Sequence, residues 1–396
     1  MDISKFQSNL DFIKSLYFHE EWKDENCRDT ILEVLEEANK KIENAFGKSM
    51  HRLGKYKPSE EAVEKLVKKF PSTISYEVRC GRLPIQTAAD YDDNAVYDCA
   101  GSAPKYVPLL AKEGLKYQVG GEEARGGLLL FDPVYEESTL QVLCYNESDE
   151  TEASRLATLK ELRKLGLFVK KDIVEHTLLY NSLCNEKHVI FDYLVEWDSN
   201  SLLTSRDEDK PLIFTVCRHT ITHLLKAGFK YHPDTGGLLF VEHDNGIRAL
   251  DFVLKAMGRE DFVGTLQNIL SPTKDYAILH HVLPKASKHR EIFTNKFPWA
   301  GSLKDHNGRS LHQVLLAAGP KVMNEYGLLF ATLTDEQIQE KDPISTLFPF
   351  AAMAVGEHAD LEKCFYLLRR HPSVLDKRSR ANASVSRRRK KQKVSK

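Results

Sequence analysis

Asp305-His-Asn-Gly308-Arg-Ser310-Leu-His312-Gln-Val314-Leu-Leu-Ala-Ala-Gly319 has the composition of a turn feeding a short helix. An Asp bonds readily to backbone N–H groups just ahead of it, and a Gly tolerates a positive φ, so the pair favours a tight turn. The small and apolar run that follows fits one face of a short helix. The same order of features occurs earlier as Gly81-Arg-Leu-Pro84-Ile-Gln86-Thr-Ala88. Fainter copies open at Thr139, Thr177, Pro211, Ala249, Ile278 and Pro349. Most steps between copies are roughly 30 to 40 residues, the spacing of arrays built from one supersecondary unit. The first step is longer, and its surplus holds Gly120-Gly121 and Gly126-Gly127, expected to form a loop on one face.

Each copy is followed by a second short amphipathic stretch. Val107 to Gly114, Leu159 to Gly166, Val189 to Leu194 and His223 to Gly228 place apolar residues on one stripe, and most finish on a Gly able to make a left-handed exit. The last, Leu361 to Pro372, stops on Pro. These patterns predict an all-α fold, a solenoid of paired short helices over residues 58–376. Residues 1–57 read as an N-terminal helical cap over the open end of that array. Within them Ile31, Leu35, Ala38, Ile42 and Ala45 line one face of a helix from about Arg28 to Phe46, with Gly47 placed to end it. Pro58-Ser59-Glu60-Glu61 reads as the next helix start, a hydroxyl cap followed by acids.

The formal charge of −1 conceals an asymmetry. Residues 377–396 hold ten Lys or Arg and no acid, so the remainder carries 46 basic against 57 acidic residues, about −11. A tail of that composition cannot bury a core and is expected to be disordered. Arg387, Arg388, Arg389, Lys390, Lys391 and Lys393 form a basic block of the kind that import receptors or polyanions take. Such a block predicts a nuclear or nucleocytoplasmic protein. If it is only a solubilising tail, the expectation is cytoplasmic. The start Met1-Asp2-Ile3-Ser4-Lys5 lacks a secretory pattern, and the longest apolar stretch, Leu347 to Val355, falls short of the roughly 20 residues of a membrane span. Seven irregularly spaced cysteines form neither a disulfide framework nor a zinc motif. A reducing, soluble compartment without membrane contact is expected.

Catalytic signals are absent. Cys217-x-His219-x-x-x-His223 has the best metal-like spacing, but no acid or fourth ligand accompanies it, so Cys217 is read as core and the histidines as loop-facing or satisfied. Cys144, Cys184 and Cys217 share an address early in a first helix, which favours small packing positions over reactive thiols. His280-His281 opens another unit and reads the same way. The Gly-Gly pairs lack the Lys-Ser or Lys-Thr of a phosphate loop, and no Gly-x-Ser-x-Gly elbow occurs. No enzyme activity, cofactor or metal is predicted.

Gly81-x-x-Pro84-Ile85-Gln86-x-Ala88 resembles the ankyrin Gly-x-x-Pro-Leu-His-x-Ala, with Ile for Leu and Gln for His. Asp305-x-x-Gly308 with Leu311-His312 resembles it one residue short and without the Pro. Asp342-Pro-Ile-Ser-Thr-Leu-Phe-Pro349-Phe350, followed by Tyr366 to Pro372, resembles the terminal unit of the divergent ankyrin-like repeat proteins of diatom algae. The resemblance implies a protein-binding scaffold, in which Gln86 and His312 tie down the loop before the helix. The partners it implies are an unidentified protein, with an import receptor at the tail. Nucleic acid held by the tail is the alternative. Loop residues Tyr117, Arg125, Tyr135 and Trp299 are the expected partner contacts.

Overall fold

The computed structural model describes residues 25–78, 80–90, 103–134, 136–145, 152–204, 211–243, 246–270, 278–285, 289–318, 333–355 and 359–372. It is predominantly helical. Among the described residues the only β pairing is in isolated bridges, and no helix is long and apolar enough to cross a membrane. The chain divides between Ser201 and Leu202 into two compact units. That boundary falls inside the stretch read as one array.

In the first unit a long helix α1 (Glu25–Met50) and a helical turn (Leu53–Tyr56) precede α2 (Glu60–Lys69). Ser59 caps α2 by accepting from the Ala62 N–H at 3.2 Å, as its position before two acids predicts. Gly47 does not end α1. It lies buried inside the helix, where an added Cβ would sit 2.3 Å from the Tyr76 ring, so the missing side chain admits that ring. Next come α3 (Pro84–Ala89), α4 (Val107–Lys116), α5 (Thr139–Tyr145), α6 (Glu152–Lys164), α7 (Lys170–Glu175), α8 (Leu178–Cys184) and α9 (His188–Trp197). The first helices α3, α5 and α8 pack in succession, and so do the second helices α4, α6 and α9. Leu110, Leu140, Leu143, Leu159, Leu162, Leu183, Ile190 and Phe191 fill the space between the rows at 0 % exposure.

The second unit holds α10 (Arg218–Tyr231), α11 (Ala249–Met257), α12 (Arg259–Ile269), α13 (Ile278–Val282), α14 (Arg290–Lys296), α15 (Leu311–Ala317), α16 (Asp335–Gln339), α17 (Pro349–Met353) and α18 (Leu361–Arg370). Here α11 packs on α12, α13 on α14 and α17 on α18, while α15 lies against both α13 and α17. The helix expected at Pro211 is only a 3-10 turn, Leu212–Phe214.

One turn recurs ahead of the first helices. Asp132, Asp305 and Asp342 each accept, through Oδ1, from the backbone N–H two residues on, at 2.8, 2.9 and 3.0 Å. Their own N–H groups close the turn onto Glu137, Arg309 and Leu347 carbonyls. After Asp132 and Asp305 the chain enters helices in which Gln141 and Gln313 take the N–H three residues back at 2.8 Å, as Gln86 does in α3 at 2.7 Å. Gln313, not His312, stands in the position of Gln86; His312 bonds Ser310 Oγ of the turn at 2.9 Å and the Gln337 backbone, and burial holds it below the usual imidazole range.

A second recurrence joins helix to loop. Gly114 in α4 and Gly228 in α10 are interior to their helices, not exits from them. A Cβ on Gly114 would lie 2.4 Å from the Gly126 carbonyl oxygen, and one on Gly228 would lie 2.6 Å from that of Gly237. Three successive residues with positive φ follow the same course in both places: Arg125, Gly126 and Gly127 at 45°, 70° and 93°, and Gly236, Gly237 and Leu238 at 61°, 65° and 79°. The Gly-rich surplus is therefore packed against its own helix and is not a free loop.

Two outcomes test this packing. Helix propensity alone would make Gly114→Ala stabilising by about 1 kcal/mol. The close backbone contact predicts the opposite sign, a loss of about 2 kcal/mol in urea unfolding of the full chain. His51 supplies the other test. Its ring, 3 % exposed, lies between the Tyr76 carbonyl at 2.8 Å and Thr87 Oγ1 at 3.0 Å, and burial pushes its pKa down to about 4. Between pH 6.5 and about 4 the unfolded chain binds a proton there that the folded chain does not, so stability falls as pH drops through that window. Unfolding measured from pH 7.5 to 4.5 should lose about 2.5 kcal/mol from this group, and His51→Gln should remove that loss.

Candidate functional site

Lys160 and Arg163 are three apart on α6, and Tyr193 and Trp197 are four apart on α9, so each pair projects from one helix face. The packing of α6 on α9 brings the two pairs together. The Trp197 ring stands edge-on to buried Phe168, with centroids 4.8 Å apart at 84°, which fixes its plane. Arg163 lays its guanidinium 4.2 Å from the centroid of Trp197 and reaches the Tyr193 hydroxyl at 3.4 Å. The Lys160 ammonium lies 5.5 Å from the centroid of Tyr193. With Lys170 and Glu196 these residues line an open groove of about 600 Å³. Three cations face one carboxylate there, on a body whose charge is otherwise negative. Ring faces flanked by guanidinium and ammonium groups take a carboxylate or phosphate group by charge-assisted hydrogen bonds and an aromatic or aliphatic group by stacking.

Three of the residues expected to contact a partner are described, two in the first unit and one in the second. Tyr117 is exposed beyond the end of α4, and Trp299 is half-buried in a 3-10 turn, edge-on to Phe297. Arg125 is committed internally: Nη1 donates to the Leu167 carbonyl at 3.0 Å and to the fully buried Asp172 at 2.5 Å. Tyr135 and the basic block Arg387, Arg388, Arg389, Lys390, Lys391 and Lys393 lie outside the described residues. The turn residues do assemble. Gly81 takes φ +78°, Pro84 is the first residue of α3, Ala88 is buried, and Gln86 Nε2 reaches the Phe131 carbonyl at 3.1 Å. In the other unit Asp305 and Gly308, at φ +75°, shape the turn before α15, and Pro349 starts α17.

Cys217 corrects one expectation. It is exposed at the N-cap of α10 rather than in the core, because the preceding first helix is only a turn. It does not converge with His219 and His223 into a ligand set. Cys144 fits the packing reading: it is fully buried, and burial pushes its thiol up to about 12. Asp172, Glu175 and His176 bring ligand atoms close together, but Asp172 already serves Arg125 and the Val169 N–H at 2.8 Å. The groove itself was missed in the sequence. Its signal is one cationic pair, Lys160 and Arg163, and one aromatic pair, Tyr193 and Trp197, each at helical spacing on a face the apolar stripes leave outward.

Comparison of the chain with protein-family models, with curated proteins and with solved structures gives no match.

Two arginines separate fold from site. Arg125→Ala leaves the buried Asp172 without its cation and should cost about 3 kcal/mol in chemical unfolding. Arg163→Ala removes an exposed side chain and should move stability by about 0.5 kcal/mol or less, while opening the groove. Equal losses from both would show that Arg163 belongs to the core.

Proposed function

We propose that the protein is a non-enzymatic scaffold of ankyrin-like repeats that holds a protein partner, with the cation–aromatic groove of α6 and α9 as a docking point. The observation that carries this reading is the groove itself, where Arg163, Lys160, Tyr193 and Trp197 are pre-arranged by one another and by Phe168 without serving a hydrophobic core. Trp, Tyr and Arg in a partly desolvated hollow are the residue types that dominate protein recognition. The row-on-row packing of α3, α5, α8 and α4, α6, α9 supports the solenoid reading, since each helix pair covers its neighbour's apolar flank. Partner segments rich in Asp, Glu or phosphate fit the groove's charge. The basic block Arg387 to Lys393 serves as the import signal of this scaffold.

Proximity labelling in the source cell with the full chain, set against Lys160→Ala/Arg163→Ala/Lys170→Ala, tests the reading. A set of nuclear partners labelled by the parent and lost with the triple variant is the expected result. An unchanged set would overturn the groove's role. Labelling lost only on truncation after Asp376, with a steep salt dependence, would replace it by nucleic-acid association through the tail.

A further inference from the structure

Three side chains from separate elements of the second unit meet near the surface. Asp234 comes from the 3-10 turn Pro233–Thr235 after α10, His281 from α13, and His306 from the turn before α15. One ligand atom from each lies within 4.8 Å of the other two. His306 Nδ1 is 3.0 Å from Asp234 Oδ1, and the His281 and His306 rings are parallel within 7° at 6.4 Å. We propose that Asp234, His281 and His306 form a binding site for a single divalent transition-metal ion of the zinc class. Two imidazoles and one carboxylate are a donor set of borderline softness, suited to Zn²⁺, Co²⁺ or Ni²⁺ and unsuited to Ca²⁺ or Mg²⁺, which prefer all-oxygen shells.

The surroundings support a ligand role for His306. Asp305 accepts from the Asn307 and Arg309 N–H groups at 2.9 and 2.8 Å and pairs with the Arg309 side chain, so the turn carrying His306 is held from both sides. The amide of Asn307 lies 2.8 Å from His306 Nε2. Amide oxygen and nitrogen exchange places on a half-turn of the side chain. The Asn307 oxygen can therefore accept the Nε2–H that an imidazole carries when Nδ1 binds a metal, the outer-shell contact typical of histidine ligands. Asp234 and His306 are more than half exposed, which lets them close on an ion and leaves further positions to water or to a partner's side chain. An Asp–His ion pair alone explains the 3.0 Å contact but not the third side chain brought in from α13.

The full-length protein, stripped with chelator and exchanged into a non-coordinating buffer, is titrated with Zn²⁺ by calorimetry and with Co²⁺ by visible absorption. One equivalent should bind, with a Co²⁺ spectrum of mixed nitrogen and oxygen ligation. His281→Ala, His306→Ala and Asp234→Ala should each weaken Zn²⁺ more than Asn307→Ala, whose outer-shell loss is about 10-fold. Cys217→Ser and His223→Ala should leave the isotherm unchanged. Circular dichroism checks that each site variant folds. Failure to bind Zn²⁺, or one-equivalent binding that survives His281→Ala and His306→Ala, overturns the proposal. A result either way leaves the groove of the first unit untouched, because no residue is shared.

Discussion

Short helices cannot hold themselves together, and here their register depends on a glutamine amide that serves two turns at once. Gln86 and Gln313 accept, through Oε1, from the N–H at the start of their own helix. Through Nε2 each donates to the carbonyl just before the next turn, Phe131 and Lys341, both at 3.1 Å. A helix of six or seven residues leaves most of its backbone groups without intrahelical partners, so such side chains satisfy a large share of them. Because the amide is planar, the two bonds also fix the distance between one turn and the next within each unit. Arg82 adds charge to the same junction. Its guanidinium, 1 % exposed, lies 2.8 Å from Asp90 and 2.6 Å from Asp132, the residue that shapes the following turn. A buried pair of this kind is weak evidence for added stability but strong evidence for one preferred arrangement.

The second constraint is steric. A helix and the loop returning beneath it approach to backbone contact at Gly114 and Gly126, and again at Gly228 and Gly237. A Cβ would enforce a wider separation, and the apolar residues behind the loop, Leu128 in one case and Leu238 and Leu239 in the other, would lose their 0 % exposure. Leu238 adopts the positive φ that Gly127 adopts in the matching place, so the loop's course is imposed by packing strongly enough to hold a branched residue in a region it disfavours.

These features explain what could be read in advance. The helical class, the cap on α2 and the helix starts at Pro84, Thr139 and Pro349 follow from local rules, since hydroxyl caps, prolines and apolar periodicity act within a few residues. The glycines of α4 and α10 were misread because a glycine near the end of an apolar stripe has two uses, exit or close approach, and only the partner loop decides. A second repeat is hidden for a related reason: Gly114-Leu-Lys-Tyr117 and Gly228-Phe-Lys-Tyr231 are each followed by Gly-Gly-Leu-Leu, but across stretches of different length. His312 was given the loop-tying role because it follows Leu as the motif requires, yet the helix begins one residue later relative to the motif and Gln313 takes that place. Arg125 looked free because its partner Asp172 is 47 residues away.

If the groove docks a partner as proposed, it needs no moving part to do so. Its main cost on binding would be the ordering of long cationic side chains. Arg163 is already stacked on Trp197 and bonded to Tyr193, and Trp197 is braced by Phe168, so part of that ordering is complete before a ligand arrives. The negative charge of the body acts at longer range, where about 8 Å of physiological salt solution screens it, whereas Lys160, Arg163 and Lys170 act at contact. An acidic ligand therefore meets little help until it is close and strong help once docked. That balance disfavours diffuse capture of polyanions by the body. On the docking reading proposed above, it would reward a segment whose anionic group and flat or aliphatic side chain match both the cations and the rings, with long-range attraction left to the basic residues 387–393.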